Sequence, residues 1–439
     1  MGFEIEWVNH ASYILRHKDF ELLTDPWLYG PVFDNGWDLI SPTQQPREYL
    51  RKIRNIWISH EHPDHFNPNF FKSYSAEEKS LTKIYFQESK DRRVASFLKG
   101  IGFQVVEMPN REWLKIEPEI AMSCTKNGSE DSYLEMIVGK HVIVNLNDCI
   151  FPDDRELLKI KRRHAKIDLL LSQFGYAEKV GNYPDLDLRK KEAKKWRQGL
   201  IHQTQLLRAE HVIPFASFKY FSHQENFYMN EGASSIAEMD SDLDFAGLKN
   251  SKVILYPGDK WTYSNTHNSS LSIQRYASDL SGLKVQHFTK DLVSFEELQT
   301  LAEKHVNVLK QSVSKPVLKL LRKWPFRYGL QPIQLFISDL GINAKLDING
   351  GLSPTHLKSE FCDIEITSSA LKYLFIRTYG GNSLFVNGRF QTKTKKGIYT
   401  LFSWAHLGLI AGTGERLNGR YFVENLNRIL KFFYGRLSV

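Results

Sequence analysis

The stretch NIWISHEHPDH, residues 55–65, decides how this chain is read. Asn55 to Ser59 is a short apolar β-like run that delivers the backbone straight into His60, Glu61, His62, Pro63, Asp64 and His65. In an extended loop His60 and His62 project to one side at i and i+2. Pro63 bends the chain so that Asp64 and His65 reach an adjacent position. Two neighbouring metal positions follow. Imidazole is a common ligand of zinc and iron, and a carboxylate is its usual companion where one position stays open for water, oxygen or substrate. A polar loop that merely caps a strand end has no need of three histidines and an acid within six positions.

Outward from that run, short β-like segments recur from the start to about residue 262: EIEWV, SYILRH, FELLT, KIYFQ, EIAMS, YLEMIV, HVIVNLN, IDLLLSQ, HVIPFAS and KVILYPG. Some alternate apolar and polar residues, and others are continuous apolar runs suited to a sheet buried on both faces. The segments 69–80, 88–100, 152–164 and 187–210 read as helices between them. Strands alternating with helices predict a layered α/β domain. Residues 290–325 read as helix, because FEELQTLAEKHVNVLKQSV repeats apolar residues at three- and four-residue spacing. From about 330 a second pattern begins, with IQLFISD, AKLDING, FCDIEIT, YLFIRTYGG and SLFVNGRFQTKT, closed by an amphipathic helix at VENLNRILKFFYGRL. The expected division is a catalytic domain over 1–290 and, over 291–439, a helical connection with a small α+β domain.

Composition narrows the class. Of 439 residues 42% are hydrophobic, 13% aromatic and 25% charged, which is the balance of a folded globular protein. Three scattered cysteines, Cys124, Cys149 and Cys362, form no CxxC pair and argue against a disulfide framework, a zinc ribbon or an iron–sulfur cluster. The N-terminal MGFEIEWVNHASYIL alternates like a strand and lacks the pattern of a signal peptide, and no run of about 20 apolar residues occurs, so a cytoplasmic protein with no membrane span is expected. The net charge is +8, with basic residues gathered in KIKRRHAK (159–166) and LRKKEAKKWRQ (188–198). These read as exposed helix faces or as attraction for an anionic substrate. No interleaved aromatics support nucleic acid as the partner.

Further ligands must come from the ends of other strands. Asp148 follows HVIVNLN and is placed either to bridge two metals or to make an ordinary strand-end turn. His223 follows HVIPFASFKYF, as a terminal ligand or as a surface histidine beside Gln224 and Glu225. Asp25 follows FELLT, as a ligand or as an acceptor that orients a ligating histidine. His10, in VNHAS, is placed to line the same pocket.

HAS near the start, TDPW, HEHPDH, a strand ending in Asp and a later strand followed by His together resemble the metallo-β-lactamase superfamily over about residues 1–262. Within it the chain is similar to the metallo-β-lactamase-like part of the CMP-N-acetylneuraminate hydroxylase family, through LLTDPWLYGPVFDNGW (22–37), ISHEHPDH (58–65), NLNDC (145–149), LLSQF (170–174) and PFASFKYFSHQENFYMNE (214–231). That likeness implies a four-layer αββα sandwich and matches His60, His62, Asp64, His65, Asp148 and His223 to the superfamily's ligand positions. Two departures stand out. Where the superfamily supplies another histidine, SCTKNGSEDSY (123–133) has none and Asn127 stands in its place, which implies a looser, open or single-metal site. The hydroxylase's Rieske domain is also missing, since there is no CxH…CxxH pattern, so an oxygenase of this kind would draw electrons from a separate protein or from the substrate. The C-terminal DIEITSSALKYLFIRTYGGNSLFVNGRF is loosely similar to sterol-carrier-type domains; a small domain that closes over the active site or supports a homodimer is the alternative.

Three functions are therefore in play. The first is a non-haem oxygenase using one or two iron ions on a polar, nucleotide-sugar-like anion. The second is a zinc or manganese hydrolase of an ester, lactone or phosphodiester, with Asp64 or an acid behind the ligands orienting a metal-acidified water, and with His10 and Asp25 as further catalytic candidates. The third is a non-catalytic carrier.

Overall fold

The computed structural model describes residues 2–128, 130–287, 293–323 and 329–424, with side chains as far as Tyr421. The period-two pattern of the first strands sorts their side chains between two interiors. Trp7, Tyr13, Leu15, Trp57 and Tyr85 enter one buried cluster, while their neighbours Val8, Ile14, Ile56, Ile58, Ile84 and Phe86 enter another. Alternation of this kind on both faces makes the sheet a central layer with cover on each side.

That sheet has seven strands in the order Lys260–Thr262, Glu4–Asn9, Ser12–His17, Phe20–Thr24, Asn55–Ile58, Lys83–Gln87, Gln104–Met108. Its outer face packs on Phe70, Phe71, Tyr74, Val94 and Leu98, from the helices and connections over 68–100. Its inner face meets a six-stranded sheet ordered Ala209–Phe215, Ile167–Gln173, His141–Asn147, Asp131–Val138, Ile120–Asn127, Trp113–Glu117. The helices Arg155–Arg163, Leu186–Leu207 and Ile236–Phe245 lend Leu157, Ile160, Leu200, Leu207, Ile236, Met239 and Leu243 to the core shared with that sheet. The layers are those of an αββα sandwich. Strands Phe20–Thr24, Asn55–Ile58 and Lys83–Gln87 run parallel in one sheet, and His141–Asn147, Ile167–Gln173 and Ala209–Phe215 run parallel in the other. The loops that leave the carboxyl ends of parallel strands gather where ligands bind in α/β folds.

A separate core runs from Val293 to Leu417. Its five-stranded sheet has the order Gly351–Pro354, Ile342–Asp347, Ile333–Ile337, Ile364–Ile366, Phe390–Thr392. The helix Phe295–Gln311, capped by Ser294, buries Leu298, Ala302, His305, Val306 and Leu309, an apolar stripe at helical spacing. All three cysteines are buried free thiols. Among the described residues no helix is long and apolar enough to cross a membrane.

Local readings are corrected or completed at several places. KVILYPG is not a strand: apart from a bridge between Val212 and Lys252 its backbone is irregular, with the amides of Ile254 and Tyr256 bonded to Ser269 Oγ and Asp259 Oδ2. YLFIRTYGG and SLFVN are helical, in Ser368–Ile376 and Gly380–Asn387. Thr367 caps the first of these helices, and its buried Leu371, Leu374 and Phe375 sit at helical spacing. Helices at Ile236–Phe245, Ser269–Ser281 and Lys395–Gly412 were not expected. The predicted closing helix VENLNRILKFFYGRL lies almost wholly outside the described residues.

Candidate metal centre

Strand ends build the site, and several do so in strained backbone. His10, Asp25, Asn147 and Ala216 each follow or end a strand with φ of 38°, 34°, 55° and 44°. Non-glycine residues avoid this region unless their surroundings over-determine it, and such residues cluster at functional sites. The backbone amide of Ala216 donates to His10 O at 3.0 Å, which ties the two turns together across the sheets.

Asp25 is the frame. Its carboxylate accepts from Ser59 N at 2.7 Å, Ser59 Oγ at 2.8 Å and Asn147 Nδ2 at 3.0 Å, and it lies 3.1 Å from His65 Nδ1. Ser59 Oγ also lies 2.9 Å from His60 Nδ1. The Nε2 atoms of His60 and His65 are thereby turned toward Asp148 Oδ2, at 3.5 and 3.4 Å.

Three overlapping groups of donors result: His10 with Asp64 and His65, His60 with His65 and Asp148, and His60 with His62 and Asp131, the donor atoms in each within 4.8 Å of one another. His10 Nε2 and His65 Nε2 lie 3.4 and 3.3 Å from Asp64 Oδ2. Several of these atoms are buried without a hydrogen-bond partner: His10 Nδ1 and Nε2, His65 Nε2, Asp64 Oδ1 and Asp148 Oδ1. Buried polar atoms are rarely left so, and a cluster of them facing one another fits a bound cation. Charge says the same. Burial disfavours the His65 cation, yet Asp64, Asp148 and Asp25 together hold its pKa well above the imidazole range. Burial likewise opposes the His62 cation, and Glu130, whose Oε2 lies 3.4 Å from His62 Nε2, lifts that pKa to about 9. Four imidazoles and three carboxylates therefore converge, with the carboxylates favouring positive charge at His62 and His65 while burial holds His10 and His60 below the ordinary imidazole range.

The structure brings together His10, His60, His62, Asp64, His65 and Asp148 and places Asp25 behind them as the orienting acceptor. It does not bring in His223, which belongs to none of the three groups; its Nδ1 accepts from Glu225 N at 3.1 Å, facing the C-terminal unit. His10 takes a place in the cluster instead. Asn127, the residue expected in place of the missing histidine, donates its amide to Ile150 O at 2.9 Å. Asp131, four residues on, joins His60 and His62. The signal was present in the neighbouring acids Glu130 and Asp131, but the antiparallel register of Asn127 opposite Asp131 was needed to see which acid faces the histidines.

A cavity of about 530 Å³ lies beside His62, lined by Glu61, Glu130, Arg93 and Lys126 and, from the C-terminal unit, by His406 and Ile410. The basic segments 159–166 and 188–198 line neither this cavity nor a second of about 440 Å³ at Asp34 and Arg389. They lie on the helices outside the second sheet, where Arg163 pairs with Glu135 and Arg197 with Asp242.

Residues 4–120 match the model of the β-lactamase superfamily domain. The cytidine monophosphate-N-acetylneuraminic acid hydroxylase of Cricetulus griseus is 26% identical over 247 residues, which cover 52% of this chain and 42% of that protein. The chain thus matches less than half the length of that relative. Among solved structures, Igni18, a metallo hydrolase from Ignicoccus hospitalis, is 16% identical with a TM-score of 0.42, over 61% of this chain and 100% of its own. CmlA, a diiron β-hydroxylase from Streptomyces venezuelae, is 16% identical with a TM-score of 0.40, over 60% and 54%. With its paired sheets, its histidine and aspartate cluster at their strand ends and this family match, the chain is a metallo-β-lactamase-fold protein that carries a further α+β unit at its C-terminal end.

Proposed function

We propose that this metal-dependent enzyme is a non-haem iron oxygenase that hydroxylates or otherwise oxidises a polar, anionic small molecule. The observation that carries the reading is Asp131 beside His60 and His62, where the family likeness calls for an imidazole. A third carboxylate makes the donor set harder and more anionic, which suits an oxygen-activating iron better than a zinc held by imidazoles. The sequence relationship to a hydroxylase supports the same choice.

In this reading His10, His60, His62, His65, Asp64, Asp131 and Asp148 would hold one or two ions, and Asp25 orients His65 without touching substrate. Iron bound there would supply the activation of O₂. The chain's own residues shape the rest. Glu61 and Asp91 neutralise Arg93, at 2.7 Å each, so Lys126, with Lys90 at the exposed rim 4.0 Å from Glu415, is placed to meet an anionic group of the substrate. Ile410, from the helix Lys395–Gly412, gives the facing wall an apolar contact. Electrons come from a separate donor protein or from the substrate.

The test is metal content in protein purified without added metal, followed by O₂ consumption with a reductant. Iron with O₂ uptake supports the oxygenase. Zinc alone, with turnover of a phosphodiester or lactone in the absence of O₂, sinks it and assigns a hydrolase in which the same cluster acidifies water.

A further inference from the structure

Residues 33–35 are Phe, Asp and Asn, and all three are left-handed, with φ of 51°, 55° and 59°. Crowding of Cβ against the carbonyl disfavours this region for L-residues. Asp and Asn visit it as single residues, and Phe rarely does. Three in succession persist only where the surroundings impose them.

Here the C-terminal unit imposes them. Asn387 Nδ2 donates to Phe33 O at 3.0 Å, and Arg389 Nη1 donates to Asp34 O at 2.9 Å and to the Asp34 carboxylate. The guanidinium is itself fixed, with Nε donating to Glu225 Oε2 at 3.0 Å and Nη2 to Ser369 Oγ at 2.8 Å, and it is only 3% exposed. Asn226 Nδ2 ties the two sides together by donating to Gly36 O at 2.9 Å and Asn387 O at 2.6 Å. Gly36 admits this approach: a Cβ there would lie 2.4 Å from Asn387 Cβ.

The turn ends on the metal centre. The Phe33 ring stands edge-on to His62 at 5.9 Å between centroids and packs against Trp37 at 4.8 Å. The side chain of His62 is 31% exposed, whereas those of His60 and His65 are fully enclosed, so the orientation of the His62 ring depends on what abuts it.

We propose that Arg389 and Asn387 are positioning residues of the metal centre: they hold Phe33–Asn35 in a left-handed turn and, through Phe33, set the ring of His62. This rests on the metal reading of the cluster. The second unit is then part of the catalytic architecture, and its removal would loosen His62.

Cobalt(II) serves as the probe, because its visible spectrum reports ligand geometry without turnover. Arg389→Met in the full chain, shown to be folded by circular dichroism, is expected to speed amide exchange at Gly36 and Trp37, both of which donate to Val32 O. It should also alter the cobalt spectrum and weaken cobalt binding about tenfold or more. Arg389→Lys, which keeps the charge but loses the planar fork, should fall between. Phe33→Leu should change the spectrum while leaving amide exchange near wild type. It also carries the test should Arg389→Met fail to fold. A folded Arg389→Met with faster exchange but unchanged cobalt spectrum and affinity overturns the clamp alone. Wild-type protein that takes up no cobalt overturns the metal reading and the clamp together.

Discussion

Asp25 Oδ2 lies 3.1 Å from His65 Nδ1, and neither side chain is reached by solvent. The same carboxylate accepts from Ser59 N, Ser59 Oγ and Asn147 Nδ2, so one buried acid orients three of the elements that meet at the cluster. Its backbone, at φ 34°, stores strain to reach that place.

Asp25→Asn puts an amide among four hydrogen-bonding neighbours, at least two of which must donate. Metal affinity should fall 10- to 100-fold, as it does when the group that orients a ligating imidazole is lost. Stability should drop by about 1–3 kcal/mol from the unmatched buried donors. Chelator competition and urea denaturation measure the two; wild-type affinity in a folded variant would contradict the role.

Asp131 and Asn127 make opposite predictions. Asp131→Ala should lower the metal-to-protein ratio by removing the third donor beside His60 and His62, and Asn127→Ala should leave the ratio unchanged. Elemental analysis of dialysed protein decides between them. A loss of metal confined to Asn127→Ala would restore the sequence-based assignment.

His10 and His223 exchange roles in the same way. His10→Ala should reduce the metal content, because both ring nitrogens are buried without hydrogen bonds and Nε2 lies 3.4 Å from Asp64. His223→Ala should keep the ratio. The double variant His60→Ala, Asp148→Ala should bind no metal, and undiminished metal in that protein would refute the centre.

His305 gives the C-terminal core an acid-sensitive step. Burial in the helix face, partly offset by a hydrogen bond from the ring to the backbone carbonyl of Phe375, lowers its pKa to about 4, and its ring stacks on Trp404 at 6.5 Å. The unfolded imidazole titrates near 6.5, so between about pH 6.5 and 4 the unfolded chain binds the additional proton. Stability is therefore full above pH 6.5 and falls as pH drops toward 4. His305→Phe should remove that slope, which denaturation of both proteins at pH 7 and pH 5 compares; equal slopes would exclude His305 as its source.

Much of the centre was legible because it is local. His60, His62, Asp64 and His65 lie within six residues behind a buried strand, and their spacing alone brings them together. The strands that lead to Asp25 and Asp148 showed themselves through alternation and apolar runs, which are properties of neighbours along the chain. The sequence leaves helix and strand undistinguished in YLFIRTYGG and SLFVN because short apolar runs serve either structure, and packing against the second core makes both helical, in Ser368–Ile376 and Gly380–Asn387. The register of two antiparallel strands sets Asp131 opposite Asn127, and the fold groups Asp131 with His60 and His62 and His10 with Asp64 and His65, with His223 in neither group. The clamp of Arg389 on Asp34 joins residues 355 apart. The sequence determined the layered fold and the heart of the metal motif, since both are written in local periodicity. Tertiary structure decided which distant acids and histidines lie beside it, because a donor's reach depends on register, strained turns and the contact between two cores, none of which is encoded within a window of neighbours.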